Sequence, residues 1–118
     1  MALLNMAEMD AGIVCWNTKY YYFNPRPTQM IQEVKTLTGI PNFPSYISGH
    51  SSFSGAAADI LSHILPANAS KYEAMSNEAA MSRFISGIHT KLDCDEGLVV
   101  GKSVGEFAVQ RAMTDGAE

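Results

Sequence analysis

The sequence has few of the features that define disulfide-stabilised proteins or membrane-spanning proteins. Only two of its 118 residues are cysteine, Cys15 and Cys94, and each lies in or beside a segment whose pattern predicts a helix. That arrangement favours two free thiols over a disulfide-stabilised fold. No apolar run approaches the roughly 20 residues that a membrane-spanning helix needs, so the sequence predicts no membrane span.

Positive charge is also scarce. Eight Lys and Arg residues stand against twelve Asp and Glu residues, which gives a net charge of −4. A chain of this sign is not suited to general binding of nucleic acid or of an anionic membrane surface. Cations that cluster in such a chain concentrate a positive field at one place.

Period-two alternation, internal repeats and long heptad patterns are nearly absent as well. The apolar fraction of 47% is enough for a core, and we expect one domain over residues 1–118. Apolar residues recur instead at helical spacing, and proline or glycine closes most of these segments. The sequence predicts an all-α bundle of about five helices, over residues 3–17, 28–38, 51–64, 71–87 and 95–114.

The prediction extends to one helix end, to an aromatic run and to the methionines. Asp95 and Glu96 are expected near the positive N-terminal end of the fifth helix. The run Tyr20–Phe23 has strand propensity but is short and leads into Pro25, so we expect it to pack against the bundle. The same packing role is expected for the methionines Met6, Met9, Met30, Met75 and Met81.

Three separated patches combine cations, histidines and anion-binding backbone. They are Lys19 with Arg26-Pro27, Ser48-Gly49-His50, and Ser82-Arg83 followed by His89 and Asp93. Arginine offers paired donors to an oxyanion, lysine a point charge, and a serine-glycine turn before a helix offers a hydroxyl and free N–H groups. Together the patches suit a tetrahedral or trigonal-bipyramidal oxyanion such as phosphate or vanadate.

These patches also resemble the signatures of a known family. Lys19, six residues and Arg26-Pro27 match the first signature of the type 2 phosphatidic acid phosphatase and vanadium haloperoxidase superfamily. Ser48-Gly49-His50 matches the second, usually Pro-Ser-Gly-His. Ser82-Arg83, five residues, His89, three residues and Asp93 match the third in full. The order and internal spacing of all three make the resemblance specific.

The resemblance implies a role for each residue. His89 would be the apical group, attacking phosphorus in a phosphatase or binding vanadium directly in a haloperoxidase. Asp93 would hold the His89 ring by its other nitrogen, and His50 would transfer a proton on the opposite side. The oxyanion itself would be bound by the remaining matched residues, which are Lys19, Arg26, Ser48, Gly49 and Arg83.

Local detail favours the haloperoxidase branch, whose soluble bacterial members this sequence resembles. Phe43 falls where haloperoxidases carry a residue packed beside vanadate, and the loop around it is similar to theirs. The first hypothesis is therefore halide oxidation by hydrogen peroxide with vanadate as cofactor. The second is an acid phosphatase that needs no cofactor and forms a phosphohistidine. The third is an incomplete domain that binds oxyanions without catalysis.

Two features depart from the family pattern. Ile47 replaces the usual proline before Ser48 and leaves the loop a freer φ and an extra N–H. The helical pattern already runs at Leu3, which predicts a C-terminal fragment lacking the family's N-terminal helices. We expect small-molecule substrates and either a homo-oligomer or a missing N-terminal segment. The compartment stays open: periplasmic or secreted if a signal was lost with that segment, otherwise cytoplasmic.

Each patch alone has an ordinary structural interpretation. Lys19 by itself is typical of a solvated helix end, Ser48-Gly49-His50 of a capped turn, and His89 with Asp93 of a surface hydrogen bond. Only their joint occurrence indicates a site. His63 matches no signature and is expected to be structural, and the glycosylation pattern Asn68-Ala69-Ser70 is interpreted as accidental. The histidine and cysteine spacing does not predict a zinc site.

Overall fold

The computed structural model describes residues 1–116, and within them every regular element is helical. The predicted all-α architecture is confirmed, although the second predicted helix is reduced to a single turn. None of the helices in this range combines the length and apolar character needed to cross a bilayer. The helices are α1 (Ala2–Tyr22), α2 (Pro27–Met30), α3 (Gly49–Ile64), α4 (Ala69–Ile85) and α5 (Lys91–Asp115), with a 3-10 turn at Pro66–Asn68.

Helix α3 is the centre of the bundle, because α1, α4 and α5 all pack against it. Its residues Ala56 and Ile60 are fully buried, as are Ala7 and Ala11 on α1. The core therefore uses small side chains that let helix axes approach closely. Both cysteines, Cys15 and Cys94, are buried and unpaired, as the sequence predicted.

The contact between α3 and α5 depends on glycine. Gly97, Gly101 and Gly105 follow one another at a spacing of four along α5 and are all buried. A Cβ atom at Gly101 would lie 2.1 Å from the backbone oxygen of Ser52 on α3. The two backbones therefore touch without intervening side chains, which no residue with a Cβ allows at this separation.

The predicted helix over residues 28–38 is wrong beyond its first turn. Helix α2 ends at Met30, and Ile31 is extended at φ −132° and ψ 109°. The chain then runs as an irregular loop to Ser48, and the Leu37 N–H donates to the Ser86 oxygen at 3.0 Å. The apolar spacing that predicted a helix has no partner surface, since Ile31 is 52% and Leu37 76% exposed.

Two packing predictions are also wrong. Tyr20–Tyr22 continue α1, and they do not pack against the bundle as expected, because each of them is more than half exposed, as is Phe23. Phe23 ends the helix in the left-handed conformation at φ 52°. The methionines expected in the core lie on the surface, with exposed fractions between 41% and 68% for Met6, Met9, Met30, Met75 and Met81.

Helix α5 begins four residues earlier than predicted. Thr90 is its N-cap and forms a capping box with Asp93, so that the first-turn acidic residue is Asp93 and not Asp95 or Glu96. Asp95 instead forms an exposed ion pair with Lys91. This earlier start places Asp93 at the N-terminal end of the helix, where its carboxylate is stabilised by free N–H groups and the helix dipole.

Candidate functional site

The three sequence patches meet where α1 ends and where α3 and α5 begin. Ser48, the N-cap of α3, donates its N–H to the Asp93 backbone oxygen on α5 at 2.9 Å. Lys19, in the last turn of α1, donates from Nζ to the oxygen of Ser45 in the loop before α3 at 2.9 Å. Backbone and side-chain hydrogen bonds thus hold the three segments together.

His89 and Asp93 form a buried hydrogen-bonded pair, the contact that the family resemblance implied. The His89 Nδ1 lies 3.1 Å from Asp93 Oδ2, and the two residues are 5% and 3% exposed. The opposite ring nitrogen, Nε2, lies 3.1 Å from the Arg26 NH1 atom. A guanidinium can only donate, so Nε2 carries the lone pair and the proton sits on Nδ1, where it donates to Asp93.

Burial and hydrogen bonding act in opposite directions on the pKa values of His89 and Asp93. Burial lowers the pKa of His89, the hydrogen bond to Asp93 works against that, and the charges of Arg26 and Lys19 lower the pKa further. Burial alone would raise the pKa of Asp93, but hydrogen bonds from His89, Ser45 and Thr90 bring it below its usual value. The resting pair is a neutral imidazole beside an ionised carboxylate.

Arg26 is fixed by backbone carbonyl groups. Its Nε and NH2 atoms both donate to the Phe43 oxygen, at 3.1 and 3.0 Å, and NH1 donates to the Ile88 oxygen at 2.9 Å. The residue is 3% exposed. Its planar fork is therefore held in one orientation, directed at His89 Nε2.

Lys19 is fully buried and also bound by carbonyl oxygens. Its Nζ donates to Pro44 at 3.0 Å as well as to Ser45, and lies 5.2 Å from the centre of the Phe43 ring. The Arg26 guanidinium lies 5.3 Å from the same ring. Phe43 thus contacts both cations. Burial lowers the pKa of Lys19 to about 8.

The other two matched side chains lie further out. His50 is exposed in the first turn of α3, and Arg83 is half-buried near the end of α4, where its Nε contacts the Ser82 hydroxyl at 3.3 Å. Partial desolvation and the charge of Arg83 lower the pKa of His50. Within residues 1–116, neither side chain hydrogen-bonds to Arg26 or His89.

Two residues that the sequence reasoning missed complete the cluster. Ser45 donates its hydroxyl to Asp93 Oδ2 at 2.6 Å, and the Thr90 N–H donates to the same oxygen at 2.9 Å. Thr90 could have been found, because Thr-x-x-Asp is a capping-box pattern. Ser45 carries no such signal, because it lies 48 residues from Asp93.

The donors present are compatible with an oxyanion. Arg26 retains one N–H after three carbonyl contacts and its contact with His89 Nε2, and Lys19 retains one after two carbonyl contacts, since a guanidinium has five N–H groups and an ammonium three. The first N–H groups of α3, at Gly49 and His50, have no partner further back in the helix. These donors are the groups that a vanadate or phosphate ion needs, and the lone pair of His89 Nε2, which here accepts from Arg26, lies beside them.

Two cavities are relevant to access. One of about 530 Å³ lies against Arg26 and is lined by Tyr20, Phe23, Pro41 and Phe43 among others. A larger one of about 680 Å³ lies at the opposite end of the bundle, beside Met1, His63 and Arg111. Only the smaller cavity adjoins the residues described above.

Comparison with known proteins relates this fold to two solved structures and to one family. A bacterial vanadium-dependent iodoperoxidase matches with 30% identity and a TM-score of 0.83, over 92% of this chain and 31% of that protein. A transmembrane PAP2-type phosphatidylglycerolphosphate phosphatase from Bacillus subtilis shares the fold, with 17% identity and a TM-score of 0.72, over 97% of this chain and 59% of that one. The chain thus spans less than two thirds of either protein. The profile of the PAP2 superfamily matches residues 1–115, and the chain belongs to that superfamily.

Proposed function

We propose that the chain binds a tetrahedral oxyanion between the start of α3 and the Lys19–Arg26–His89 cluster, with His89 Nε2 as the apical group. One observation carries this proposal. The Nδ1–H of His89 is held by Asp93, while Nε2 carries a lone pair beside the Arg26 guanidinium. That lone pair accepts from Arg26 NH1, and an anion bound here takes over this N–H and leaves the lone pair to its central atom.

We assign the remaining residues to charge neutralisation, to hydrogen bonding of the anion and to orientation of His89. Lys19 and Arg26 neutralise the anion from the buried side, and the free N–H groups of Gly49 and His50 lie at the start of α3, where the helix dipole favours negative charge. Asp93 keeps the imidazole in one tautomer. Arg83 and His50 are less buried and close enough for the charge of Arg83 to lower the pKa of His50, so we assign them to the accessible side, where they can contact the incoming or leaving group.

The activity we propose first is that of a haloperoxidase. The 30% identity to the iodoperoxidase supports it, and so does Phe43, which contacts both buried cations. Vanadate, when bound, supplies the Lewis-acid centre at which hydrogen peroxide becomes reactive toward halide. In this activity His89 would hold the vanadium, Lys19 and Arg26 would balance the negative charge of the vanadate, and His50 would transfer protons on the accessible side.

Phosphoester hydrolysis is the second candidate, favoured by the protonation state of the histidines. His89 Nε2 would attack phosphorus, the alcohol would leave with a proton from His50, and water would then cleave the P–N bond. His50 must be protonated for this step. Because its pKa is lowered, the protonated form accumulates only in acid, which fits an acid phosphatase.

Oxyanion binding without turnover is the third candidate. Apolar side chains on α1 are exposed, Met6 at 52%, Met9 at 68% and Ile13 at 53%. The chain also covers only 31% of the iodoperoxidase. Both facts favour a site whose catalysis needs further protein around it.

A titration with vanadate separates the three candidates. Vanadate is added to the purified chain, and the same sample is assayed for iodide oxidation with peroxide and for aryl phosphate hydrolysis. We expect vanadate to bind and to switch on iodide oxidation. Binding that only inhibits phosphate release would indicate the phosphatase, and binding without either activity the third candidate. If vanadate does not bind, the proposed site is wrong.

Anion affinity is expected to fall as the pH rises through about 8, the pKa that burial gives Lys19. The anion binds the protonated amine, so affinity is constant below that pH and falls about tenfold per pH unit above it. The fall ends where the pKa of Lys19 in the complex is reached. Calorimetry with molybdate tests this, because molybdate keeps its charge over this range whereas vanadate and phosphate do not.

The neutral variant Lys19→Met is the matched control. It fills a similar volume without a charge, so its molybdate affinity should be weak and independent of pH. A wild-type affinity that stays constant between about pH 7 and pH 10 would show that Lys19 is not a ligand of the anion.

A further inference from the structure

The cavity of about 530 Å³ beside Arg26 has the size of a small-molecule site, and its walls are mainly aromatic rings and prolines. The aromatic residues that line it are Tyr20, Phe23 and Phe43. Its polar rim is uncharged and consists of Asn24, Thr28, Gln29 and Asn42. Among the described residues that line it, Arg26 is the one with a charge, and none is a carboxylate.

Hydrogen bonds hold the two walls of this cavity at a fixed separation. One wall is the linker that follows α1, and the other is the loop over residues 40–44. The Ser45 N–H donates to the Asn24 oxygen at 3.0 Å. The Arg26 Nε and NH2 atoms both donate to the Phe43 oxygen, at 3.1 and 3.0 Å. A cavity whose walls are already fixed loses little entropy when a rigid ligand binds.

Phe23 lines this cavity in a backbone conformation that is unfavourable for a bulky residue. It ends α1 at φ 52° and ψ 40°, and among the described residues no other non-glycine residue has a positive φ. Glycine or asparagine usually occupies this position at a helix end. Phe23 is 68% exposed, so burial in the core does not offset the strain. A strained, exposed aromatic residue at the wall of a cavity indicates a binding role.

The lining favours a neutral aromatic ring that carries a hydrogen-bonding group. The rings of Tyr20 and Phe23 are tilted, with centroids 6.2 Å apart, and a third ring can pack on them edge-to-face or offset. The Arg26 guanidinium repels a cationic ligand. An organic anion gains little from it, because four of its five N–H groups already donate to carbonyl oxygens or to His89. The Gln29 carboxamide, fixed by accepting the Arg26 N–H at 2.7 Å, offers its NH2 group to a ligand hydroxyl.

We propose that this cavity binds the ring of a phenol, the organic reactant of the neighbouring oxyanion site. Two residues belong to both places. Arg26 lines the cavity and lies 3.1 Å from His89 Nε2, and Phe43 lines the cavity while its ring lies 5.2 Å from Lys19 Nζ. The role of the phenol as a reactant rests on the proposed function, whereas the binding of its ring does not.

Both candidate activities involve such a ring. In halide oxidation, hypoiodous acid would transfer iodine to a ring carbon. That carbon would lose its proton, and the proton and the hydroxide of the reagent would leave as water. In phosphoester hydrolysis, the phenol would be the leaving group of an aryl phosphate and would take its proton from His50.

The first test is calorimetric titration of the intact chain with p-cresol, without vanadate, iodide or peroxide. We expect saturable binding. Methylcyclohexanol, which keeps the hydroxyl and lacks the aromatic ring, should bind about tenfold more weakly. Tyr20→Ala should weaken p-cresol binding about tenfold, because one wall ring is lost. Tyr21→Ala is the matched control, since Tyr21 is the next residue on α1, is 81% exposed and does not line the cavity; its affinity should be unchanged.

Phe23→Gly tests the second ring without a risk to folding. Glycine adopts a φ of 52° readily, so this variant should unfold at a similar urea concentration to the wild type. Its affinity for p-cresol should nevertheless fall about tenfold. The inference is wrong if p-cresol does not bind the wild type, or if Tyr20→Ala and Phe23→Gly both bind it as tightly as the wild type does.

Turnover separates the two roles of the phenol and keeps this inference distinct from the proposed function. With vanadate, iodide and peroxide, iodination should saturate with p-cresol, and its KM should be about tenfold higher in Tyr20→Ala. With p-cresyl phosphate, free p-cresol should instead inhibit hydrolysis. Iodination that stays proportional to p-cresol and is equal in Tyr20→Ala would overturn the reactant role, because freely diffusing hypoiodous acid gives that result. Binding of p-cresol by a chain with neither activity would confirm the ring site and refute the proposed catalysis.

Discussion

Replacing His89 with alanine is expected to abolish turnover, by roughly a thousandfold or more, in both iodide oxidation and aryl phosphate hydrolysis. The reason is common to both activities. The Nε2 atom is the unprotonated ring nitrogen beside Arg26, and no neighbouring side chain can replace it. Steady-state rates and vanadate affinity should be measured together, because the loss of the apical nitrogen should weaken vanadate binding as well.

Two variants make this result specific. His63→Gln changes a histidine that lies 15 residues after Ser48 on the same helix, about 22 Å along its axis, and should retain wild-type rates. Asp93→Asn should lose less than His89→Ala, since it disturbs the orientation of the ring and not the reacting atom. Turnover that survives in His89→Ala would refute the proposed chemistry, and an equal loss in Asp93→Asn would show that the carboxylate does more than orient.

The sequence analysis chose Lys19, Arg26, Ser48, His89 and Asp93 as candidate site residues from three patches that resemble the family signatures, whereas it did not foresee the loop beside them. The structure joins these five by hydrogen bonds, directly or through Ser45. His50 and Arg83 are brought to the same end of the bundle but not into the buried cluster, a difference that spacing cannot show.

The helix predicted over residues 28–38 does not form beyond its first turn, and the reason is physical. Met30, Ile31, Val34 and Leu37 have helical spacing, but spacing stabilises a helix only when another surface covers the apolar face. Here Met30, Ile31 and Leu37 stay more than half exposed, and the segment instead bonds through its backbone to the turn after α4. Gly87, at φ +75°, lets that turn approach, since a Cβ there would lie 2.9 Å from the Lys35 oxygen.

The roles of Ser45 and of the glycines of α5 depend on tertiary contacts that no local sequence pattern indicates. Ser45 and Asp93 are 48 residues apart, and no local pattern links them. The sequence reasoning passed over Gly97, Gly101 and Gly105, because glycine at a spacing of four also occurs in loops and flexible segments. Their meaning depends on which helix faces them, and the sequence of α5 does not contain that information.

Replacing Gly101 with alanine is expected to unfold much of the protein under mild conditions. The new Cβ would lie 2.1 Å from the Ser52 oxygen and 2.8 Å from its carbonyl carbon, both backbone atoms that cannot rotate away. Helices α3 and α5 would have to separate. We expect a loss of about 4 kcal/mol, a large share of the roughly 5–15 kcal/mol that stabilises a domain. Urea unfolding followed by circular dichroism measures it.

Gly39→Ala is the matched control, because a Cβ at Gly39 would meet nothing within 4 Å. It should leave stability unchanged or raise it by up to about 1 kcal/mol through the unfolded state. If Gly101→Ala were as stable as Gly39→Ala, the close approach of α3 and α5 described above would be wrong.

The close glycine contacts between α3 and α5 also affect the candidate site. Helix α3 begins at Ser48 and helix α5 follows His89, so the distance between their axes sets the distance between the anion-binding N–H groups and the apical nitrogen. Gly97 is one turn nearer the site, where a Cβ would lie 2.8 Å from the Ser48 oxygen. Gly97→Ala should therefore reduce vanadate affinity more than its loss of stability explains. Gly101→Ala, assayed at a temperature where it is folded, should show the smaller effect on affinity and the larger one on unfolding.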